Sequence, residues 1–297
     1  LTSSDLLRVA LVQQADQGSV AANLAACEEG IRAAAAQGCH LVLLQELHNG
    51  PYFCKTEDSA LFDLAEPIPG PTTERLGAVA SELGVVVVGS IFERRAAGLY
   101  HNSAIVLDAD GRLAGLYRKM HIPDDPGYYE KFYFTPGDLG FAPVDTAVGR
   151  LGVLVCWDQW FPEAARLMAL ADADLLLYPT AIGWDPADER AEQERQRDAW
   201  RTVQRGHAVA NGLPLLACNR VGFEPDPSGA GTGAPFWGSS FVCGPQGEIL
   251  AEAPTDQPAL LVADVDLGRS ERVRRIWPFL RDRRIDAYAD LLKRFRD

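Results

Sequence analysis

Three polar residues each stand just past an apolar run, and together they could perform thiol-based cleavage of a C–N bond. Glu46 ends LVLLQE, Lys119 ends LAGLYRK, and Cys156 ends GVLVC. In α/β proteins the carboxyl ends of strands are where reacting groups are usually placed. A helix with Pro162 near its first turn follows Cys156. Helix-terminal N–H groups beside a thiol predict a nucleophile with a lowered pKa. In that chemistry Cys156 attacks the carbon of an amide or nitrile, and Glu46 takes the thiol proton and returns it to departing ammonia. Lys119 and the N–H of Trp157 donate to the oxyanion, where losing one donor typically costs ~3 kcal/mol. Each residue also has a plainer reading. Cys156 can be an inert core thiol, Glu46 a solvated strand end, and Lys119 a surface charge.

The elements that must position these groups are legible as alternating strands and helices. Residues 7–14, 41–44 and 85–91 read as strands, with helices at 20–37 and 72–83 between them. Residues 101–107 and 112–118 flank an Asp-Ala-Asp-Gly turn and predict an antiparallel hairpin. Residues 119–149 read as an aromatic, loop-rich stretch. The pattern then resumes with strands at 150–156, 175–178, 213–219, 238–243, 248–253 and 260–264, and helices at 162–170 and 188–211. Residues 228–233 read as a surface loop. The tail, 269–295, reads as helical with a break at Pro278. βα units followed by antiparallel strands imply an α/β fold with large mixed sheets and helices on their outer faces. The two halves resemble each other loosely, and no linker separates them, so residues 1–297 are expected to form a single domain.

Bulk composition narrows the function. The chain of 297 residues is long enough for a large core, and its formal charge of −13 argues against binding nucleic acid or anionic membranes. No apolar run reaches membrane-spanning length, and Leu1–Leu7 lacks the features of a secretory signal. Six scattered cysteines with no CxxC pair fit free thiols in a reducing cytoplasm. Cys218 and Cys243 lie on apolar strands and read as buried filler. No His or carboxylate cluster has metal-ligand spacing, and no GxGxxG or P-loop element is present. No metal or cofactor is therefore expected.

The segments LVLLQELHNGPYF, YRKMHIPDDPGYYEKFYFTPGD and LVCWDQWFPEAAR, in that order, resemble those of the nitrilase (carbon–nitrogen hydrolase) superfamily. The likeness runs from about Arg8 to about Leu292. It implies a four-layer α-β-β-α sandwich of two mixed sheets, with Glu46, Lys119 and Cys156 as the catalytic three. It also implies that Glu130 is a second glutamate that orients the lysine or assists the thioester step. Read without the likeness, Glu130 is equally an ion-pair partner in a charged aromatic loop. The implied reaction is hydrolysis of N-carbamoylputrescine to putrescine, ammonia and carbon dioxide through a Cys156 thioester. N-carbamoyl-β-alanine, an ω-amide or a nitrile are alternative substrates, and a catalytically silent scaffold is an alternative of another class.

A small cationic carbamoyl amine needs an anionic or aromatic recess for its far end. Asp124 and Asp125 are candidates, although next to proline they also read as a turn-forming pair. Tyr129, Trp157, Trp184 and Trp237 are candidates for the channel wall. A carboxylate-bearing substrate would instead call for a buried arginine. Arg118 is expected to alternate away from Lys119. His48 and His121 read as structural, as do Asn102 and Ser103. Gln159 reads either as a hydrogen-bonding neighbour of the nucleophile or as part of the helix start. The tail, about 268–297, carries an apolar stripe among arginines and is expected in the contacts of a homo-oligomer.

Overall fold

Strands that are apolar at every position form the centre of the protein. Leu41–Leu44 and Leu175–Thr180 are buried along their whole length, as expected of parallel strands covered on both faces. The computed structural model describes residues 6–296. Its first half runs β1 (Leu6–Gln13), α1 (Val20–Ala36), β2 (Leu41–Leu44), α2 (Pro71–Leu83), β3 (Val86–Ala96), β4 (Leu99–Leu107), β5 (Leu113–Arg118) and α3 (Glu130–Tyr133). The second half runs β6 (Val144–Thr146), β7 (Gly149–Val153), α4 (Pro162–Leu170), β8 (Leu175–Thr180), α5 (Arg190–Asn211), β9 (Leu215–Asn219), β10 (Val221–Glu224), β11 (Ala234–Trp237), β12 (Phe241–Cys243), β13 (Ile249–Glu252), β14 (Ala259–Asp266) and α6 (Gly268–Ile276).

These strands make two six-stranded sheets and one hairpin. The first sheet is ordered β14-β1-β2-β3-β4-β5, the second β13-β12-β9-β8-β7-β6, and β10 pairs with β11. Each sheet has three parallel strands at its heart, β1-β2-β3 and β7-β8-β9. Each trio is flanked by one antiparallel strand on one side and two on the other, so the likeness of the halves is real at the level of topology. The sheets pack face to face, with β1, β2 and β3 against β8 and β9. One continuous apolar core joins Val9, Leu41 and Val88 of the first sheet to Leu151, Leu177 and Leu216 of the second. Helices α1 and α2 cover the first sheet from outside, and α4 and α5 cover the second. The result is the α-β-β-α layering expected from the sequence.

The differences from expectation lie at element ends. The strand leading to the cysteine stops at Val153, and the backbone turns through a short 3-10 helix, Cys156–Trp160. The strand expected over 238–243 begins only at Phe241, because Ser239 takes a left-handed φ of 57° that breaks the extended run. The β10–β11 hairpin just before it was not revealed by sequence patterning. Beyond α6 and Pro278 the tail forms only short 3-10 turns, not a second helix.

Candidate active site

The carboxyl ends of β2, β7, β8 and β9 meet at one edge of the stacked sheets, and β5 ends there too. Glu46 follows β2, Lys119 follows β5, and Cys156 follows β7 by three residues. All are buried, Glu46 and Lys119 completely. The Lys119 ammonium donates to Glu46 Oε1 at 2.9 Å and to Glu130 Oε2 at 2.6 Å. Asn102 Nδ2 donates to the same Glu46 oxygen at 2.7 Å. Glu130 Oε1 accepts from the Tyr52 hydroxyl at 2.8 Å. Among the described residues Glu46 Oε2 has no hydrogen-bond partner, although it is buried. Asn102 sits on β4 beside the Ser103–Arg118 cross-strand pair, and its carbonyl takes the Lys119 N–H at 2.9 Å. That register is the signal that marks it. Its neighbour Ser103 instead hydrogen-bonds Glu93 with Arg118, whose side chain turns away from Lys119 as expected.

Cys156 stands on a tight turn. Its φ is +44°, a left-handed conformation that L-residues rarely hold, while Val155 before it is fully extended. The thiol donates to the carbonyl of Ala181, just past β8, at 3.6 Å. Burial pushes the Cys156 thiol well above its ordinary range, the Glu46 carboxylate adds to this, and Lys119 only partly opposes it. The lowered thiol pKa expected from a nearby helix start is thus not realised. The turn is a short 3-10 segment, and desolvation outweighs its N–H groups. The raised value favours the neutral thiol at rest, which would need a base to become a nucleophile.

The charges around it follow from the same burial. Desolvation by itself would lower the Lys119 ammonium, but the Glu130 and Glu46 carboxylates outweigh it and the net shift is well upward. Burial pushes the Glu130 carboxyl up, Lys119 pulls it down, and Glu46 raises it again, leaving it at about 7.

A cavity of about 450 Å³ opens over Cys156 and Glu130. Of the residues expected in its wall, Asp125, Trp157, Trp184 and Trp237 line it. Trp184 and Trp237 pack with ring centroids 5.2 Å apart. Asp124 and Tyr129 are not in the wall. Asp124 faces solvent, and the Tyr129 backbone is tied to the Cys54 carbonyl while the adjacent Tyr128 takes the place facing the cavity. Asp185, Asp188 and Lys55 also line it. Asp185 directly follows the expected wall residue Trp184, whereas Lys55 comes from a loop distant in sequence, and nothing local in the chain pointed to it.

Several polar residues near the site have structural roles. Gln159 is fully buried; its side chain accepts from Thr180 and its carbonyl contacts His207. His121 stacks on Phe161 with ring centroids 3.7 Å apart. Its Nδ1 lies 2.7 Å from Asp158 Oδ1. His48 packs against Gly89, where a Cβ would come within 2.6 Å of Nδ1. Burial pushes its imidazole down to about 3, so it is neutral. Among the described residues, no group of three or more His, Cys, Asp or Glu side chains could hold a metal ion.

A carbon–nitrogen hydrolase family model matches residues 8–275 of the chain. The chain belongs to the carbon–nitrogen hydrolase family. It is 47% identical to an N-carbamoylputrescine amidase of Solanum lycopersicum over 289 residues, covering 97% of this chain and 95% of that protein. It is 41% identical to a citrullinase of Francisella tularensis, covering 97% of this chain and 99% of the other. The crystal structure of a carbon–nitrogen hydrolase from Helicobacter pylori G27 superposes with a TM-score of 0.95 at 54% identity, covering 98% of this hydrolase and all of the other chain. The two mixed sheets with flanking helices are thus the architecture of a family of C–N bond hydrolases, and this chain is an enzyme of that kind.

Proposed function

We propose that this enzyme hydrolyses the terminal ureido C–N bond of N-carbamoylputrescine, through a carbamoyl thioester on Cys156. Cys156 Sγ attacks the ureido carbonyl as Glu46 takes the thiol proton. Lys119 and the Trp157 N–H stabilise the oxyanion, and Glu130 orients Lys119. Glu46 passes the proton to the leaving nitrogen, and ammonia departs. Water, deprotonated by Glu46, adds to the thioester and expels the thiol. The carbamate formed breaks down to putrescine and carbon dioxide.

The observation that carries this reading is the ammonium held between two carboxylates, one of which, Glu130, lines the Cys156 cavity, with one Glu46 oxygen left unpartnered among the described residues. An unsatisfied buried acceptor is costly unless something arrives to use it. Asp125, Asp185 and Asp188 in the same cavity favour a cationic far end, and the tryptophans suit an aliphatic chain with an ammonium at its tip. The near full-length likeness to N-carbamoylputrescine amidases supports the same substrate. Ammonia release from N-carbamoylputrescine, N-carbamoyl-β-alanine, an ω-amide and a nitrile tests it. Preference for the carbamoyl acid would overturn the cation argument, and no turnover of any would favour a silent scaffold.

One observation favours a second substrate class. Lys55 is a half-buried ammonium in the cavity wall, and none of the described carboxylates lies within 4.0 Å of its Nζ. Burial lowers it, with Asp185 and Asp226 pulling the other way. It rests over the Tyr128 ring, 4.8 Å from the centroid. A ureido amino acid such as citrulline differs from N-carbamoylputrescine by one carboxylate beside the distal ammonium. Lys55 offers that carboxylate a partner, and the citrullinase relative fits the same reading. Turnover of citrulline by the wild-type enzyme tests it.

We also read the chain as a single domain that self-associates through its tail. Ile276, Ile285, Leu291, Leu292 and Phe295 are largely exposed, more apolar surface than one short segment normally leaves to water. A second copy of this chain is the occupant we infer. Light scattering on the full chain and on a chain ending at Ile276 tests this, a dimer or larger species being expected only for the first. No described helix is long and apolar enough to cross a membrane. The free cysteines support a reducing compartment, and we infer the cytoplasm.

A further inference from the structure

Arg220 lies immediately after β9 and is completely buried. Its guanidinium directs three hydrogen bonds to one short turn. Nε donates to the carbonyl of Glu46 at 3.0 Å. Nη2 donates to the carbonyls of Leu47 at 2.5 Å and Gly50 at 2.7 Å. That turn carries Glu46, and Leu47 within it holds a left-handed φ of 50°. A non-glycine residue in that region persists only where its surroundings hold it.

The fourth contact of Arg220 leads elsewhere. Nη1 pairs with Glu224 Oε1 at 2.5 Å. Glu224 Oε2 accepts from the Tyr52 N–H at 2.8 Å. The Tyr52 hydroxyl donates to Glu130 Oε1, and Glu130 Oε2 holds Lys119. Lys119 then donates to the Glu46 side chain. The contacts close into a ring. It starts at the Glu46 backbone, passes through Arg220, Glu224, Tyr52, Glu130 and Lys119, and returns to the Glu46 carboxylate. All six residues are at most 1% exposed.

We propose that Arg220 is a positioning residue for the C–N cleavage, setting Glu46 from its backbone and Glu130 through Glu224 and Tyr52. A buried ion pair that merely filled the core would not need three diverging bonds to one turn. The planar fork of arginine makes them, whereas a lysine, a compact ammonium on a flexible stem, lacks that geometry. Polar chains of this kind act as units, because each member fixes the next.

The inference rests on Glu46 and Lys119 being the reacting groups, and the variants separate the two ideas. Tyr52→Phe removes one hydroxyl and keeps the ring packed against Tyr128 and Phe236. It should lower kcat by about tenfold, the usual scale of one hydrogen bond to a charged group, with KM little changed. Arg220→Lys should lower kcat by about a hundredfold, the scale of a 1 Å misplacement of a reacting group. The double variant should lose less than the product of the two, because both loosen one ring. Should Arg220→Lys fail to fold, Tyr52→Phe and Glu224→Gln carry the same comparison. Variants that melt at lower temperature yet keep kcat within about twofold of wild type overturn the proposal, as do losses that multiply fully. If Glu46→Gln keeps its full rate, the mechanism and this inference fall together. If Glu46→Gln is inactive while Tyr52→Phe and Arg220→Lys keep their rates, only this inference falls.

Discussion

Asp158 and Val155 bind each other in both directions. The Asp158 carboxylate accepts from the Val155 N–H at 2.9 Å, and the Asp158 N–H donates to the Val155 carbonyl at 3.1 Å. Val155 is the residue that launches the Cys156 turn. The same carboxylate also accepts from the Tyr117 hydroxyl at 2.8 Å and the His121 N–H at 3.0 Å. Those two residues bracket Lys119, so one buried side chain ties the cysteine turn to the lysine loop. Asp158→Asn replaces one accepting oxygen with a donor that faces N–H or O–H groups. It should destabilise the fold by about 2–3 kcal/mol, as expected for a buried hydrogen-bonding group left mismatched. Urea unfolding measures this, and an unchanged midpoint would show that the clamp carries no strain.

The raised thiol predicts how Cys156 meets an alkylating agent. A group held as the neutral thiol gains thiolate only as pH climbs, so the rate with iodoacetamide should rise from pH 6 to about 9 without levelling off. A plateau below neutrality would mean that a thiolate already exists at rest. Mass spectrometry of the labelled peptide separates Cys156 from the other cysteines.

Glu46 and Cys156 should fail in different ways. Cys156→Ser leaves a poorer nucleophile and should cut turnover by about a thousandfold or more, as removal of a nucleophile does in other acyl-transfer enzymes. Glu46→Gln keeps the Lys119 contact through its amide oxygen but cannot accept the thiol proton. It should slow ammonia release by a factor of about 100–10,000, the range of a lost general base. Near-normal turnover in either variant contradicts the assigned role.

Lys55 offers a test of the far end of the substrate. Lys55→Met removes the ammonium and keeps the stem length. It should lower kcat/KM for citrulline by about tenfold or more, the scale of one charge-assisted contact. Turnover of N-carbamoylputrescine should hold or improve, since a like charge has been removed. Equal losses on both substrates would assign Lys55 to packing.

Away from the site, Glu93 should govern part of the acid stability. Burial works against its charge, but hydrogen bonds from Arg118 and Ser103 outweigh it and hold its carboxyl below the ordinary value. A folded pKa below the unfolded one gives stability that is present above the unfolded value and lost as pH falls through the folded value. The urea midpoint should therefore drop on acidification below about pH 4.5, and less steeply in Glu93→Gln. Parallel acid profiles for the two proteins would refute this.

How far the chain could be read in advance differs from residue to residue. LVLLQE, LAGLYRK and GVLVC each state locally that an apolar strand ends in a polar group, because burial on both faces demands an unbroken apolar run. Mixed sheets with outer helices, and the loose likeness of the halves, follow from the same alternation, whereas the four-layer order came from the family resemblance. The thiol departs from expectation because its pKa depends on how completely neighbours exclude water, and no local motif records that. Tyr128, not the expected Tyr129, faces the cavity, because side-chain direction in an irregular loop has no period to follow.

The sequence by itself determined which segments are strands, that reacting groups stand at their ends, and which family the segments resemble. Tertiary structure alone decided that Arg220 reaches back to the Glu46 turn, that Tyr52 caps Glu130, and that Asp185 and Lys55 share the cavity with Asp125. Those contacts join residues up to 174 positions apart. Local propensity acts within a few residues, whereas such pairs meet only when two sheets stack and exclude the water that would otherwise satisfy each group.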